Sequence, residues 1–186
     1  MQIVDVIKTS TELLGLTNEN VILQTATQDN ETEVLSNPVI NKLYGLVKFA
    51  IQELCSNYAT VLAEKVINTN NCSYPLNQLK NYIRFHAVKQ NGESVDYKII
   101  NRNLTLAHEG EYVVEYETYP EINSLFDDVD YFADLSPDVI VFALCSYYAL
   151  SVGLFEDFKE FNNQYVERAE NLKGLKIFNL PQRRWE

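Results

Sequence analysis

NPVINKLYGLVKFAIQELCSNYATVLAEKV, residues 37–66, is the most regularly patterned segment of the chain. Asn37 is a natural N-cap, and Pro38 follows at the first helical position, where a missing N–H removes no bond. Apolar residues recur at Ile40, Leu43, Tyr44, Val47, Ile51, Leu54, Tyr58, Val61, Leu62 and Val66. Steps of three and four keep them on one stripe. The spacing predicts one helix over 38–66, about 42 Å long at 1.5 Å per residue. A mainly α fold follows from it: a helical bundle with one long helix.

On its N-terminal side, residues 17–37 are polar and unpatterned, and read as a long loop. Ile3, Val6, Ile7, Leu13 and Leu14 suggest a first helix, broken near residues 9–11 and stopped by Gly15. On the C-terminal side the period changes to two. Residues 82–88 read as a strand, and Asn91-Gly92 is a strong hairpin signal, since both residues tolerate positive φ. Residues 95–100 return, 101–103 turn into Leu104-Thr105-Leu106, and Glu109-Gly110 turns into 111–119. There Tyr112, Val114 and Tyr116 face one way, and Val113, Glu115 and Glu117 the other. This predicts a small inserted antiparallel meander at about 80–119, too small to hold a core of its own and so leaning on the helices.

Pro120 ends the sheet, and an acidic linker spans 121–134. Ser136-Pro137-Asp138 repeats the cap-then-proline start and leads into 16 mostly apolar residues, 139–154. These are too few for a membrane span and are flanked by Asp138 and Glu156, so they read as a buried helix. Phe155, Phe158, Phe161, Tyr165, Ala169 and Leu172 carry a last helix, with Gly174 suited to stop it. Residues 1–175 thus read as a single helical domain with its β-module. Residues 176–186 form an extended, basic C-terminal tail.

The chain has 186 residues, 46% of them hydrophobic, which is enough for one continuous core. Its formal net charge is −11. That excludes a duplex-binding protein and an anionic-lipid surface binder, which need clustered Lys and Arg. Residues 120–157 hold 8 acids and no base, whereas 158–186 hold 4 acids and 6 bases. Cys55, Cys72 and Cys145 match neither a zinc ribbon nor a CxxC redox pair and read as reduced thiols of an intracellular protein. The first residues have neither a basic nor an apolar leader region.

Catalytic constellations are few. His86 and His108 lack a third metal ligand, and no phosphate loop, GxSxG or HExxH occurs. Neither a metal nor a cofactor is expected, and no catalytic residue stands out. Asp127, Asp128, Asp130 and Asp134 form one dense carboxylate group. A Ca²⁺ loop there would lack the turn glycine and the bidentate Glu of an EF-hand, so a solvated linker is the default. The 12 tyrosines and 9 phenylalanines suit a core or subunit interface, or a ligand platform. Trp185 with Arg183 and Arg184 unites residue types enriched in binding hot spots, which marks the tail as an anchor.

Taken in order, these elements resemble the head–tail adaptor (connector) proteins of tailed bacteriophages. Four features carry the resemblance: the Leu13-Leu14-Gly15 stop; the long helix from Pro38; the sheet ending in Gly110-Glu111-Tyr112-Val113-Val114-Glu115-Tyr116; and the acidic linker, Leu135-Ser136-Pro137-Asp138 start, Gln164-Tyr165 and Pro181-Gln182-Arg183-Arg184-Trp185 tail. The polar segment 17–37 departs from the pattern. The resemblance implies a virion structural protein at the head–tail junction, made in the bacterial host cytoplasm. It implies a homo-oligomeric ring, commonly a dodecamer, between the portal protein and a stopper or tail protein, through which DNA passes without specific binding. The portal contact would be Phe178, Leu180, Pro181, Arg183, Arg184 and Trp185. Tyr112 and Tyr116 are the candidate subunit-interface residues, and the four aspartates could line the channel and repel phosphate. A small-ligand or carbohydrate-binding module using the aromatic sheet face is the alternative. An enzyme with a carboxylate pair in 121–138 is the third reading.

Overall fold

The computed structural model describes residues 1–58, 61–69, 71–129 and 136–177, the last five of these by backbone alone. The chain divides into two compact units, residues 1–59 with 122–186 and residues 60–121. Among the described residues six α-helices make the chain 52% helical, and strands in two antiparallel sheets make up 25%. The fold is therefore a mixed helix-and-sheet one, and the expected mainly α bundle with a small meander is wrong.

The error sits in residues 37–66. Asn37 caps as expected, its Oδ1 accepting from Val39 N at 2.9 Å and Ile40 N at 3.2 Å. The helix, α4, nevertheless ends at Asn57 (Pro38–Asn57). Val61–Thr69 is a strand, β1. Leu62 and Val66, four apart, share a face under either period. All nine residues of β1 pair with Gly110–Thr118, and such a ladder outweighs the modest helix propensity of a segment rich in β-branched residues.

In the helical unit, α1 (Ile3–Leu13) is unbroken. The hydroxyls of Thr9, Ser10 and Thr11 bond back to the carbonyls of Asp5, Val6 and Lys8 instead of interrupting it. Gly15 stops it at φ +68°, a conformation L side chains rarely adopt. Residues 17–37 are not a loop: α2 (Thr17–Gln24) and α3 (Glu31–Ser36) occupy them, burying Leu23 and Val34. The helix α5 (Pro137–Val152) is apolar on nearly every side and packs against α1, α4 and α6 (Phe155–Ile177). Gly153 joins α5 to α6 at φ +82°, while α6 runs through Gly174, where an end was expected. Ile3, Ile7, Leu23, Ile40, Leu43, Ile51, Leu54, Ile140 and Leu144 are sealed from solvent in this unit.

The β-module has two sheets. One has the order β1, β7 (Gly110–Thr118), β3 (Tyr82–Gln90), β4 (Glu93–Ser94); the other has β2 (Ser73–Pro75), β6 (Asn103–Thr105), β5 (Lys98–Ile100). The hairpin at Asn91-Gly92 forms as its sequence requires, with φ +53° and +85°. The module holds its own core: Ile67, Tyr74, Leu79, Val88, Leu104, Leu106, Tyr112, Val114 and Tyr116 are buried together. The expectation that it lacks one is overturned, because β1 brings in the inward row Ala63, Lys65, Ile67 and Thr69, the first two of which a helix over 38–66 would have taken away.

Candidate functional site

The acidic segment after β7 is held in place over residues 121–129. Its backbone runs beside the start of α1: Ile3 N donates to Asp127 O at 3.0 Å, and Val4 N to Leu125 O at 2.7 Å. Two N–H groups that every helix start leaves without an intrahelical acceptor are thereby satisfied. The Glu31 carboxylate, in the first turn of α3, grips the same segment from the other side. Its Oε1 accepts from Leu125 N at 2.7 Å and its Oε2 from Ser124 Oγ at 2.9 Å. Leu125 is fully buried. Asp127 turns its carboxylate onto its own chain, accepting from Asn123 N at 2.7 Å and Ser124 N at 3.0 Å. It is thus spent on holding a turn. Asp128 is exposed. Asp130 and Asp134 lie outside the described residues. Among those described, no group of three or more His, Cys, Asp or Glu is placed to hold a metal ion.

Tyr44 faces Glu31 and Asp127. Burial, followed by these two carboxylates, pushes its phenol up to about 12. Its buried hydroxyl has no hydrogen-bond partner among the described residues. A second carboxylate–phenol cluster joins three helices: Glu53 on α4 accepts from Tyr147 on α5 and, at 3.1 Å, from Tyr165 on α6. Tyr165 is raised by burial first, then by the Glu53 charge and hydrogen bond. Sequence reading saw these tyrosines only as apolar positions, because nothing in their spacing announces a shared carboxylate.

Tyr112 and Tyr116 are 3% and 5% exposed. Their rings are covered by the module's own core, with Tyr74 beside them. A sugar platform would need such rings at the surface. The tail residues Phe178, Leu180, Pro181, Arg183, Arg184 and Trp185 lie outside the described residues.

The exposed apolar surface lies elsewhere. On β1, Leu62 is 53% and Val66 57% exposed, with Glu64 and Asn68 on the same outer face. Next to them on β7, Glu115 and Glu117 take Lys89 and Arg84 from β3 as partners. The Glu115 hydrogen bond holds the Lys89 ammonium above its usual range. Glu64, directly opposite Glu115, makes no hydrogen bond or ion pair among the described residues and acts on the Lys89 ammonium only as a nearby charge. On β5, Ile99 and Ile100 are about half exposed beside an exposed Lys98. In the helical unit, Leu150, Val152, Leu154 and Phe155 are exposed at the α5–α6 corner. The alternating pattern of 62, 64, 66 and 68 was the available sign of β1, masked by its overlap with the helical stripe.

No helix among the described residues is long and apolar enough to cross a membrane. No protein-family model matches the chain, and no curated protein matches it.

Proposed function

We propose that this chain is a head–tail adaptor of a tailed bacteriophage: a structural, non-enzymatic virion protein that forms a ring between portal and tail. The order of elements supports this reading: helices, a β-module between α4 and α5, a closing helical pair, and a basic tail. The observation that carries it is the pair of unlike apolar strand edges, β1 and β5, on one small module. Unlike edges associate head to tail, and head-to-tail contacts generate rings when the rotation closes. Each subunit brings a formal charge of −11, so a ring of them repels the phosphates of passing DNA. The portal contact falls to Arg183, Arg184 and Trp185, as guanidinium donors and an apolar anchor.

Light scattering and negative-stain imaging of the purified protein test the first part. The expected result is a ring with a mass many times 21.4 kDa; a monomer at all concentrations refutes it. Cosedimentation with portal protein tests the second. Deleting residues 180–186 should abolish binding and leave the circular dichroism spectrum unchanged; retained binding removes the anchor role.

A further inference from the structure

Two sheets have four edges, and this module treats them differently. A strand edge is a row of unpaired N–H and C=O groups that templates pairing, and proteins ordinarily blunt it by shortness, proline or charge. β4 is two residues long, and the part of β3 that it leaves uncovered, residues 82–87, is broken by two register shifts against β7, irregularities of the kind that blunt an edge. The edge at β2 is three residues long and ends in Pro75, which has no N–H to offer. β1 is nine residues long and contains no proline. Among the described residues it makes no backbone hydrogen bond on the side away from β7. β5 is short but carries Ile99 and Ile100 at the surface, and among the described residues it pairs with β6 alone.

β1 does carry one feature that ordinarily protects an edge, an inward-facing lysine. Here Lys65 is already engaged: its Nζ donates to Gln78 O at 2.7 Å and lies over the Tyr74 ring. It therefore leaves the outer row of Leu62, Glu64 and Val66 free to meet another strand.

The two open edges also complement each other in charge. Glu64 faces Glu115 across the sheet, while Lys89 is committed to Glu115. Glu64 adds its charge to the field on the Lys89 ammonium but, among the described residues, has no cation in contact with it. Lys98 on β5 is exposed and has no ion-pair partner among the described residues. Antiparallel pairing of the two edges sets Glu64 opposite Lys98 and Leu62 opposite Ile100, and it places both pairs on one face. Every strand pair within the module is antiparallel, so the added strand continues the existing pattern.

We infer that β1 of one copy of this chain takes β5 of the next copy as an added strand, with Glu64 and Lys98 forming the charged pair and Leu62 and Ile100 the apolar one. This is a head-to-tail contact between copies, and it rests on the ring reading above. Cross-strand charge pairs are sensitive to sign, so they supply both attraction toward the right edge and rejection of the wrong one.

The test is a charge swap followed by sedimentation velocity over a range of protein concentration, with circular dichroism on each sample. Both residues are exposed, so Glu64→Lys and Lys98→Glu should leave the spectrum unchanged. Each single reversal should weaken self-association by about tenfold, because attraction becomes repulsion. The double variant Glu64→Lys with Lys98→Glu should restore it. If wild-type protein assembles and the single reversals assemble equally well, the β1–β5 contact is refuted while the ring survives. If the singles weaken assembly and the double variant does not recover, the edges meet different partners, and the pairing is again refuted. If the wild type is monomeric throughout, the ring reading fails and this contact with it.

Discussion

Replacing Glu31 with Ala removes one carboxylate that holds two donors of another segment. Leu125 N at 2.7 Å and Ser124 Oγ at 2.9 Å lose their acceptor together. A hydrogen bond to a charged group contributes about 1.5–3 kcal/mol, and partial exposure moves this pair toward the lower end. The change also frees the turn whose carbonyls accept from Ile3 N and Val4 N, so the start of α1 is loosened with it. A loss of about 2–3 kcal/mol is expected, or roughly 10 °C in the midpoint of a unit this size. Glu31→Gln keeps one acceptor oxygen and should lose about half as much. The assay is thermal unfolding of both variants, read by circular dichroism at a helix-sensitive wavelength, with amide exchange at Ile3, Val4 and Leu125. Exchange should quicken at those three amides before it does at β7. A loss below about 0.5 kcal/mol for Glu31→Ala, within the range of ordinary surface substitutions, would show that the segment is held by its backbone pairing and by Leu125 alone.

Tyr44→Phe should leave stability unchanged at pH 7 or raise it by up to about 1 kcal/mol, since it removes a buried hydroxyl without a partner; a clear loss in denaturant titration would contradict this. The raised phenol of Tyr44 also makes wild-type stability depend on alkali. Its contribution is full below about pH 10, the ordinary tyrosine value, and is lost as pH rises toward 12. Tyr44→Phe should flatten that part of the profile, and unaltered steepness would show that other tyrosines carry it. Residues 60–121 expressed alone should fold, marginally, as a β-rich unit, because their core is internal. Leu104→Ala, at a fully buried site in that fragment, should cost about 3 kcal/mol and unfold it. A disordered fragment in a two-dimensional NMR spectrum would mean that the core needs the rest of the chain.

Much of the helical unit was legible in local chemistry. Asn37-Pro38, Pro137 after Ser136, and Gly15 and Gly153 act through backbone angles and missing donors, which are local properties, so the helix starts and stops they mark were readable. The hairpin at Asn91-Gly92 was readable for the same reason. Residues 17–37 were not, because α2 and α3 are short helices held by single buried anchors, Leu23 and Val34. Periodicity needs more turns than they have.

Function was less legible. Tyr112 and Tyr116 alternate correctly, but alternation gives the face and not what covers it, and the second sheet covers theirs. Asp127 looked like one member of an acidic run, yet its carboxylate is spent on the turn at Asn123 and Ser124. Composition cannot separate such an acid from an exposed neighbour like Asp128.

The sequence by itself determined the caps, the turn glycines, the alternation of β7 and the charge of −11, since each depends on residues within a few positions of one another or on a sum over all of them. Only the tertiary structure decided that residues 61–69 are a strand. Leu62 and Val66, four apart, share a face in a helix and in a strand alike, so their spacing does not choose between the two. Nine pairings with Gly110–Thr118, some fifty residues away, break the tie. They give the β-module its own core and leave an open edge, from which the proposed assembly follows.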